Sequence, residues 1–350
     1  MKILFLYSEI GPYNIPIFRS LTQTYGASVH VVHWDHKKLK PFVPPPVDNV
    51  FYYKRSQYSA EQIYELAQSI DPVIIYVSGW MDKGYLPTAQ HFKARGIPVV
   101  AGFDDQWSGN IRQRLGILIF RLYLKRCFSH AWVAGPRQYE FARRLGFDNA
   151  HILFDMLTCD YNLFSCAAEA IDSKRLNYPE SFLYVGNFSK IKGTDILVRA
   201  FQQYRRVFNG TWTLICIGNG PLRHLLENES AIEVMDYMSQ PDLVNLCARA
   251  GVFVLPSRHE QWGVVVHEFA TAGLPLLLSD NVGSKATFFI DGFNGVSFSD
   301  NSIDALCEAM LILSGKPSSE LCQMGENSRR LASRVTPSIS AASLMSILPH

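Results

Sequence analysis

The feature that most limits what this chain can become is a rhythm of short apolar runs, each stopped by turn-forming residues and followed by a helix-like stretch. Ile3-Leu4-Phe5-Leu6-Tyr7 ends at Ser8-Glu9-Ile10-Gly11-Pro12, and a helical stretch from about Ile15 to Tyr25 leads to the next run, Val29 to Trp34. The pattern continues with Val73 to Val77, closing at Ser78-Gly79-Trp80, and Val99-Val100-Ala101, closing at Phe103-Asp104-Asp105. Ala131 to Ala134 and His151 to Phe154 complete the set. Unbroken runs of this length mark strands covered on both faces, as in a parallel sheet with helical crossovers. The expectation is a doubly wound α/β domain.

Residues about 155–180 lack the rhythm and read as a linker carrying Asp160, Asn162, Asp172, Asn177 and Pro179. The alternation then restarts at Phe182 to Gly186 and repeats at Trp212 to Gly218, Ile232 to Met235, Val252 to Pro256 and Leu276 to Ser279. Two domains follow, 1–165 and 166–335, a division that 350 residues allow with a core for each. Ligands of such sheets sit beyond the carboxyl ends of the strands, so a cleft lined by both domains is expected.

Composition excludes more than it selects. With 48% hydrophobic and 18% charged residues, disorder is not the default. A net charge of +2 gives no case for nucleic acid, although residues 1–165 hold 18 Lys and Arg against 13 Asp and Glu, which tilts the first domain towards an anionic partner. The seven cysteines are scattered, without a C-x-x-C pair or a histidine at zinc-ligand spacing, and read as buried thiols in a reducing compartment. Neither a signal peptide nor a bilayer-spanning run is recognisable, so a cytoplasmic protein is expected, at most one attached to the inner face of a membrane. Arg112 to Phe128 is a basic, apolar helix candidate. The preferred reading is a packed helix with snorkelling cations, the alternative a membrane-surface helix. Lys37-Lys38-Leu39-Lys40 with Pro41, Pro44, Pro45 and Pro46 reads as a stiff solvated loop.

The strongest chemical signal is the stretch from Pro256 to Pro275. A buried strand ends at Leu255-Pro256, a loop carries Glu260, and a helix opens near Gly263 and stops at Gly273-Leu274-Pro275. A glycine at the helix start lets an anion approach the N–H groups of Gly263, Val264 and Val265. Glu268 could accept hydrogen bonds from two hydroxyls of one sugar and Glu260 from those of a second. Alone, two glutamates eight apart read equally well as a helix-charge partner and a surface residue.

In context the segment resembles the Glu-x7-Glu motif of glycosyltransferase family 4, the large retaining group with the GT-B fold of two Rossmann-like domains facing a central cleft. The likeness extends to Val185-Gly186-Asn187-Phe188-Ser189-Lys190-Ile191-Lys192-Gly193, to Ile217-Gly218-Asn219-Gly220-Pro221-Leu222, to Asp291-Gly292-Phe293-Asn294-Gly295, and to Met324-Gly325 with Asn327 and Arg329. It implies a donor site of Gly11, Gly186, Asn187, Lys192, the backbone near Tyr237, Glu260, Gly263, Val264, Val265 and Glu268. Glu260 and Lys192 would serve catalysis, Lys192 on the donor diphosphate. The family's arginine position holds Asn187, with Lys190 or Arg258 as possible substitutes. Only Gly11 stands in place of the family's glycine pair, and an ordinary tight turn with Pro12 explains it equally.

Asp104 and Asp105 occupy the place where the family often has His-Asp, with Phe103 in place of the histidine. They could orient or deprotonate an acceptor hydroxyl, or cap the next helix. Trp80 could stack on an acceptor sugar or simply pack, and the Tyr237 ring could equally be core. The last segment, 336–350, is expected to return as a helix to the first domain. The resemblance implies retaining transfer from a nucleotide-diphosphate sugar to a glycan, lipid-linked or small-molecule acceptor, with no cofactor and no obligatory metal. Two other readings stay open. One is a decayed, sugar-binding scaffold, for which Asn187 and Phe103 speak. The other is a dinucleotide oxidoreductase, for which Gly218-x-Gly220 speaks weakly because Arg223 holds the third glycine's place.

Overall fold

The computed structural model describes residues 1–36, 42–167, 174, 177–227, 229–299 and 301–349. The Lys37–Pro41 loop and Asp172 of the expected linker therefore lie outside the described residues. The chain divides into two compact units, Met1–Thr158 with Val335–His350, and Cys159–Arg334.

In the first unit, seven parallel strands run β1 (Lys2–Tyr7), β2 (Ser28–His33), β3 (Val50–Lys54), β4 (Ile74–Val77), β5 (Val99–Phe103), β6 (His130–Val133) and β7 (Ile152–Leu153). Their order across the sheet is β3-β2-β1-β4-β5-β6-β7. Ile3, Leu4, Phe5 and Leu6 of the central β1 are wholly buried, which is why that run shows no polar alternation. The second unit holds β8 (Ser181–Val185), β9 (Thr213–Ile217), β10 (Ile232–Met235), β11 (Val252–Leu255), β12 (Leu276–Ser279) and β13 (Gly295–Phe298), again parallel, in the order β10-β9-β8-β11-β12-β13. Both sheets thus reverse direction beside their first strand, giving the doubly wound arrangement with switch points between β1 and β4 and between β8 and β11.

Two differences from the sequence reading, the missed strands and the basic stretch, have physical causes. β3 and β13 escaped it because their runs are not apolar throughout: β3 closes on Tyr52-Tyr53-Lys54 with Phe51 exposed, and β13 mixes Gly295 and Ser297 with its apolar residues. The terminal segment does form a helix, Pro337–Met345, started by Thr336 Oγ1 accepting from Ile339 N. It packs on the helix Ile15–Tyr25, and Ser343 Oγ donates to Phe154 O at 2.7 Å. The basic stretch is helical from Ile111 to Ile119 and continues through a wider π-helical turn, Phe120–Leu124. It packs as expected on one face only. Phe120 is buried and Ile117 and Leu124 pack on the core, but six other large apolar residues of this stretch are exposed.

All seven cysteines are free thiols. Six are buried and Cys166 is exposed, against the expectation that all would be buried. No helix among the described residues is long and apolar enough to cross a membrane.

Candidate donor site

The site is built at the switch point of the second unit, where β8 and β11 end side by side. After β8 the chain turns at Gly186, whose N–H donates to Ile217 O at 3.0 Å, and Phe188 N donates to Asn219 O at 2.9 Å. The Gly218-Asn219-Gly220 turn therefore lies on Gly186–Phe188. A Cβ at Gly218 would sit 2.0 Å from Gly186 O. These glycines serve close backbone packing, and their turn follows β9 instead of the first strand of the unit. A dinucleotide fingerprint requires a glycine turn after the first strand, so the oxidoreductase reading loses its only support. Asn187 is exposed at this edge.

Lys192 is held by a similar close approach. The turn Ser189–Gly193 closes with Gly193 N donating to Lys190 O at 3.0 Å, and Gly193 has φ +73°. A Cβ there would stand 1.9 Å from Pro256 O, so only glycine lets this turn touch the end of β11. That contact brings Lys192 Nζ to 2.5 Å from Glu260 Oε2, with side chains 29% and 13% exposed. Ser257 Oγ donates to the same oxygen at 3.3 Å. The Glu260 loop is fastened from below: Gly283 N donates to Glu260 O at 3.0 Å and Ser284 N to Trp262 O at 2.9 Å. A half-buried cation and carboxylate thus meet on a rigid frame at the strand ends.

The following helix spans Val264–Thr271 and starts from Gly263 in the left-handed region, φ +88°. No side chain caps it; Val266 N donates to Gly263 O at 3.0 Å, and the N–H groups of Gly263, Val264 and Val265 lie ahead of the first i→i−4 bond. Gly263, Val264 and Val265 are half-buried. A partial positive charge therefore faces the Lys192–Glu260 pair's end of the helix, the arrangement that suits an anion.

One turn on, Glu268 is buried, which removes the surface-residue alternative. Its Oε1 accepts from Gln240 Nε2 at 2.8 Å. Gln240 opens the helix Gln240–Leu246, and nothing in the sequence spacing announced it. His267 is a structural pin: Nδ1 accepts from Cys159 N at 3.1 Å, Nε2 pairs with Ala332 O at 3.1 Å, and its ring stacks on Phe288 at 4.1 Å. Tyr237 is 69% exposed, so the core alternative for its ring is removed.

Arg258 does not replace the missing arginine. Its guanidinium grips Asp195 with two bonds of 2.6 and 2.8 Å, also reaches Lys190 O, and holds the Asp195 carboxyl below its usual range. Lys190 is exposed and remains the other candidate.

In the first unit the expected residues are more dispersed. Gly11 is buried with extended backbone, φ −130°, and its N–H is committed to Asn14 Oδ1 at 2.8 Å. It forms the tight turn with Pro12 and offers no free donor to a leaving group. Asp104 and Asp105 are exposed just past β5, and the next helix is capped by Asn110, whose Oδ1 accepts from Gln113 N at 2.8 Å. The capping alternative therefore falls to another residue. Asp104 lies near Tyr13, whose hydroxyl is pushed up to about 12, first by burial and then by the charges of Asp104 and Glu9. Trp80 packs by its ring on Phe103 at 5.9 Å and Phe120 at 5.1 Å, leaving part of it accessible. Among the described residues no three His, Cys, Asp or Glu side chains converge as a metal site.

Residues 169–331 match the family model described as Glycosyl transferases group 1. Over 139 residues the chain is 32% identical to a glycogen synthase of Mycobacterium tuberculosis, covering 38% of this chain and 33% of that one. The chain thus spans about a third of the length of the curated relatives it matches. Among solved structures, a glycosyltransferase from Rickettsia africae superposes with a TM-score of 0.75 at 12% identity, over 99% of this chain and 97% of that one. Anabaena Alr3699/HepE, solved in complex with UDP, superposes with a TM-score of 0.73 at 16% identity, over 99% and 100% of the two chains. The chain has the GT-B fold, and the part of it that carries the Lys192–Glu260 pair is similar to the glycosyl transferases group 1.

Proposed function

We propose that the chain is a retaining glycosyltransferase of family 4 type that moves a sugar from a nucleoside diphosphate to a hydroxyl of a glycan, lipid-linked or small-molecule acceptor. The observation that carries the reading is the Lys192–Glu260 pair set beside an uncapped, glycine-opened helix at the ends of β8 and β11. In the reaction the bond from the anomeric carbon to the diphosphate oxygen breaks and its electron pair stays with the diphosphate. The helix N–H groups of Gly263 to Val265 and the Lys192 ammonium oppose the charge that develops there. A new bond forms on the same face from the acceptor oxygen, whose proton passes to a carboxylate, assigned here to Asp104 or Asp105. Glu268 holds the ribose hydroxyls, Glu260 those of the donor sugar, and the backbone near Tyr237 the base.

Neither cofactor nor obligatory metal enters this scheme. A place in polysaccharide or glycoconjugate synthesis, a cytoplasmic setting and peripheral attachment of the first unit to a membrane belong to the same reading. HepE, the Anabaena neighbour, was solved with UDP and with UDP-glucose, which makes uridine diphosphate sugars the first donors to try.

A thermal-shift panel of nucleoside diphosphates and their sugars tests it. A ligand at a hundredfold its Kd stabilises by about 2.7 kcal/mol, a rise of roughly 5–10 °C for a unit of this size. No shift with any nucleotide sugar would reject the donor site. A shift without transfer or hydrolysis would leave the sugar-binding scaffold.

A further inference from the structure

We propose that the helical stretch from Ile111 to Arg126 docks the first unit on an anionic lipid bilayer. Ile111, Leu115, Leu118 and Leu122 repeat at spacings of four, three and four, which sets them in one stripe along the helix. With Ile119 and Tyr123 beside them, all six are exposed, Ile111 to 77% and Leu122 to 64%. The opposite side is the one that packs, through Ile117, Phe120 and Leu124. An apolar stripe turned outwards on a helix already anchored by its other face is out of place in water.

Charge names the occupant. Arg112, Arg114, Arg121, Lys125 and Arg126 are interspersed with the stripe along the same stretch, and all five are exposed. Arg121 uses two of its N–H groups on Arg144 O and Arg114 one on Gly109 O, which fixes both beside the stripe. No Asp or Glu occurs from Gln106 to Tyr139. A polyanion in solution would need the cations but not the six apolar side chains. A purely apolar partner would need the reverse. Phosphate headgroups above acyl chains satisfy both at once, in a helix lying in the interface plane.

The stretch is also placed to matter for transfer. The inward Phe120 ring lies 5.1 Å from that of Trp80, at the end of β4. For a lipid-linked acceptor, which rests on the function proposed above, docking would bring the acceptor's own surface next to the residue expected to meet it.

Sedimentation with vesicles decides the matter. The full chain is mixed with vesicles of phosphatidylcholine alone and of an equal mixture of phosphatidylcholine and phosphatidylglycerol, at low and high salt. Binding is expected to the mixed vesicles only and to weaken with salt. Leu118→Glu with Leu122→Glu, and separately Arg112→Glu with Arg126→Glu, should each lower the partition coefficient at least roughly tenfold. All four positions are exposed, and an unchanged melting temperature confirms that each variant is folded. Absence of vesicle binding, or binding that both variants retain, would overturn the proposal. So would a wild-type dimer that ignores vesicles and becomes monomeric in the leucine variant, since the face would then belong to a second copy. Vesicle binding needs no nucleotide, so failure of the donor reading would show separately as a missing thermal shift with nucleotide sugars.

Discussion

Replacing Glu260 by glutamine should tighten the binding of a free nucleoside diphosphate while destroying the advantage of the sugar-bearing donor. Glu260 Oε2 lies 2.5 Å from Lys192 Nζ, so a phosphate resting on that lysine would come to within about 5 Å of the carboxylate. Two unit negative charges at that distance repel by about 3 kcal/mol at an effective dielectric constant of 20. The lysine is 29% exposed and salt screens the pair, so about 1–2 kcal/mol should survive, a gain of roughly 5- to 30-fold in affinity. The same change weakens a charged acceptor of sugar hydroxyl bonds, worth about 1.5–3 kcal/mol, so the preference for the nucleotide sugar over its diphosphate should fall at least roughly tenfold. Titration calorimetry on both proteins with UDP and UDP-glucose, at two salt concentrations, measures both quantities. If the variant binds the diphosphate no better than the parent, the lysine does not meet phosphate beside this carboxylate, and the assignment of the pair is wrong.

Three further outcomes are expected. Glu268→Ala should weaken nucleotide binding, read by calorimetry, and leave the protein folded; unchanged affinity would take Glu268 out of the site. Asp104→Asn or Asp105→Asn should lower transfer by roughly a hundredfold while donor affinity holds, as for loss of a general base, and equal loss of both would point to a structural role. Gly193→Ala and Gly292→Ala make a matched pair, since both glycines have left-handed φ (+73° and +71°) but only at Gly193 would the new Cβ strike backbone, at Pro256 O. The first should cost clearly more than the about 1–2 kcal/mol of left-handed strain alone and should also weaken diphosphate binding. Equal melting temperatures for the two variants would refute the close-packing argument.

The parts of this molecule that were legible in its sequence are those where geometry leaves few choices. Strands covered on both faces must be apolar throughout, so β1, β4, β8 and β11 stood out, while β3 and β13, with Lys54 and with Gly295 and Ser297 in their runs, did not. The turns that carry Lys192 and Glu260 were legible because left-handed turns and backbone contacts at Gly193 and Gly263 admit little else. What stayed hidden depends on partners far along the chain. Arg258 looked available until Asp195, 63 residues away, was found holding it. Gln240 reaches Glu268 across 28 residues with no pattern to reveal it. The 111–126 stretch was ambiguous for another reason: both of its faces are apolar, and periodicity alone does not tell which of them the core takes.

His267 shows how a residue inside a functional signature can answer to a different need. The chain enters the second unit at Cys159 and leaves it just beyond Ala332, and the one imidazole clasps the amide of the first and the carbonyl of the second. Removing it would take one buried partner from each of two main-chain groups, a loss of about 1–3 kcal/mol for each. An inactive His267 variant would therefore report a slackened seam where the polypeptide comes and goes, one helical step from a glutamate whose own loss should leave that seam tight.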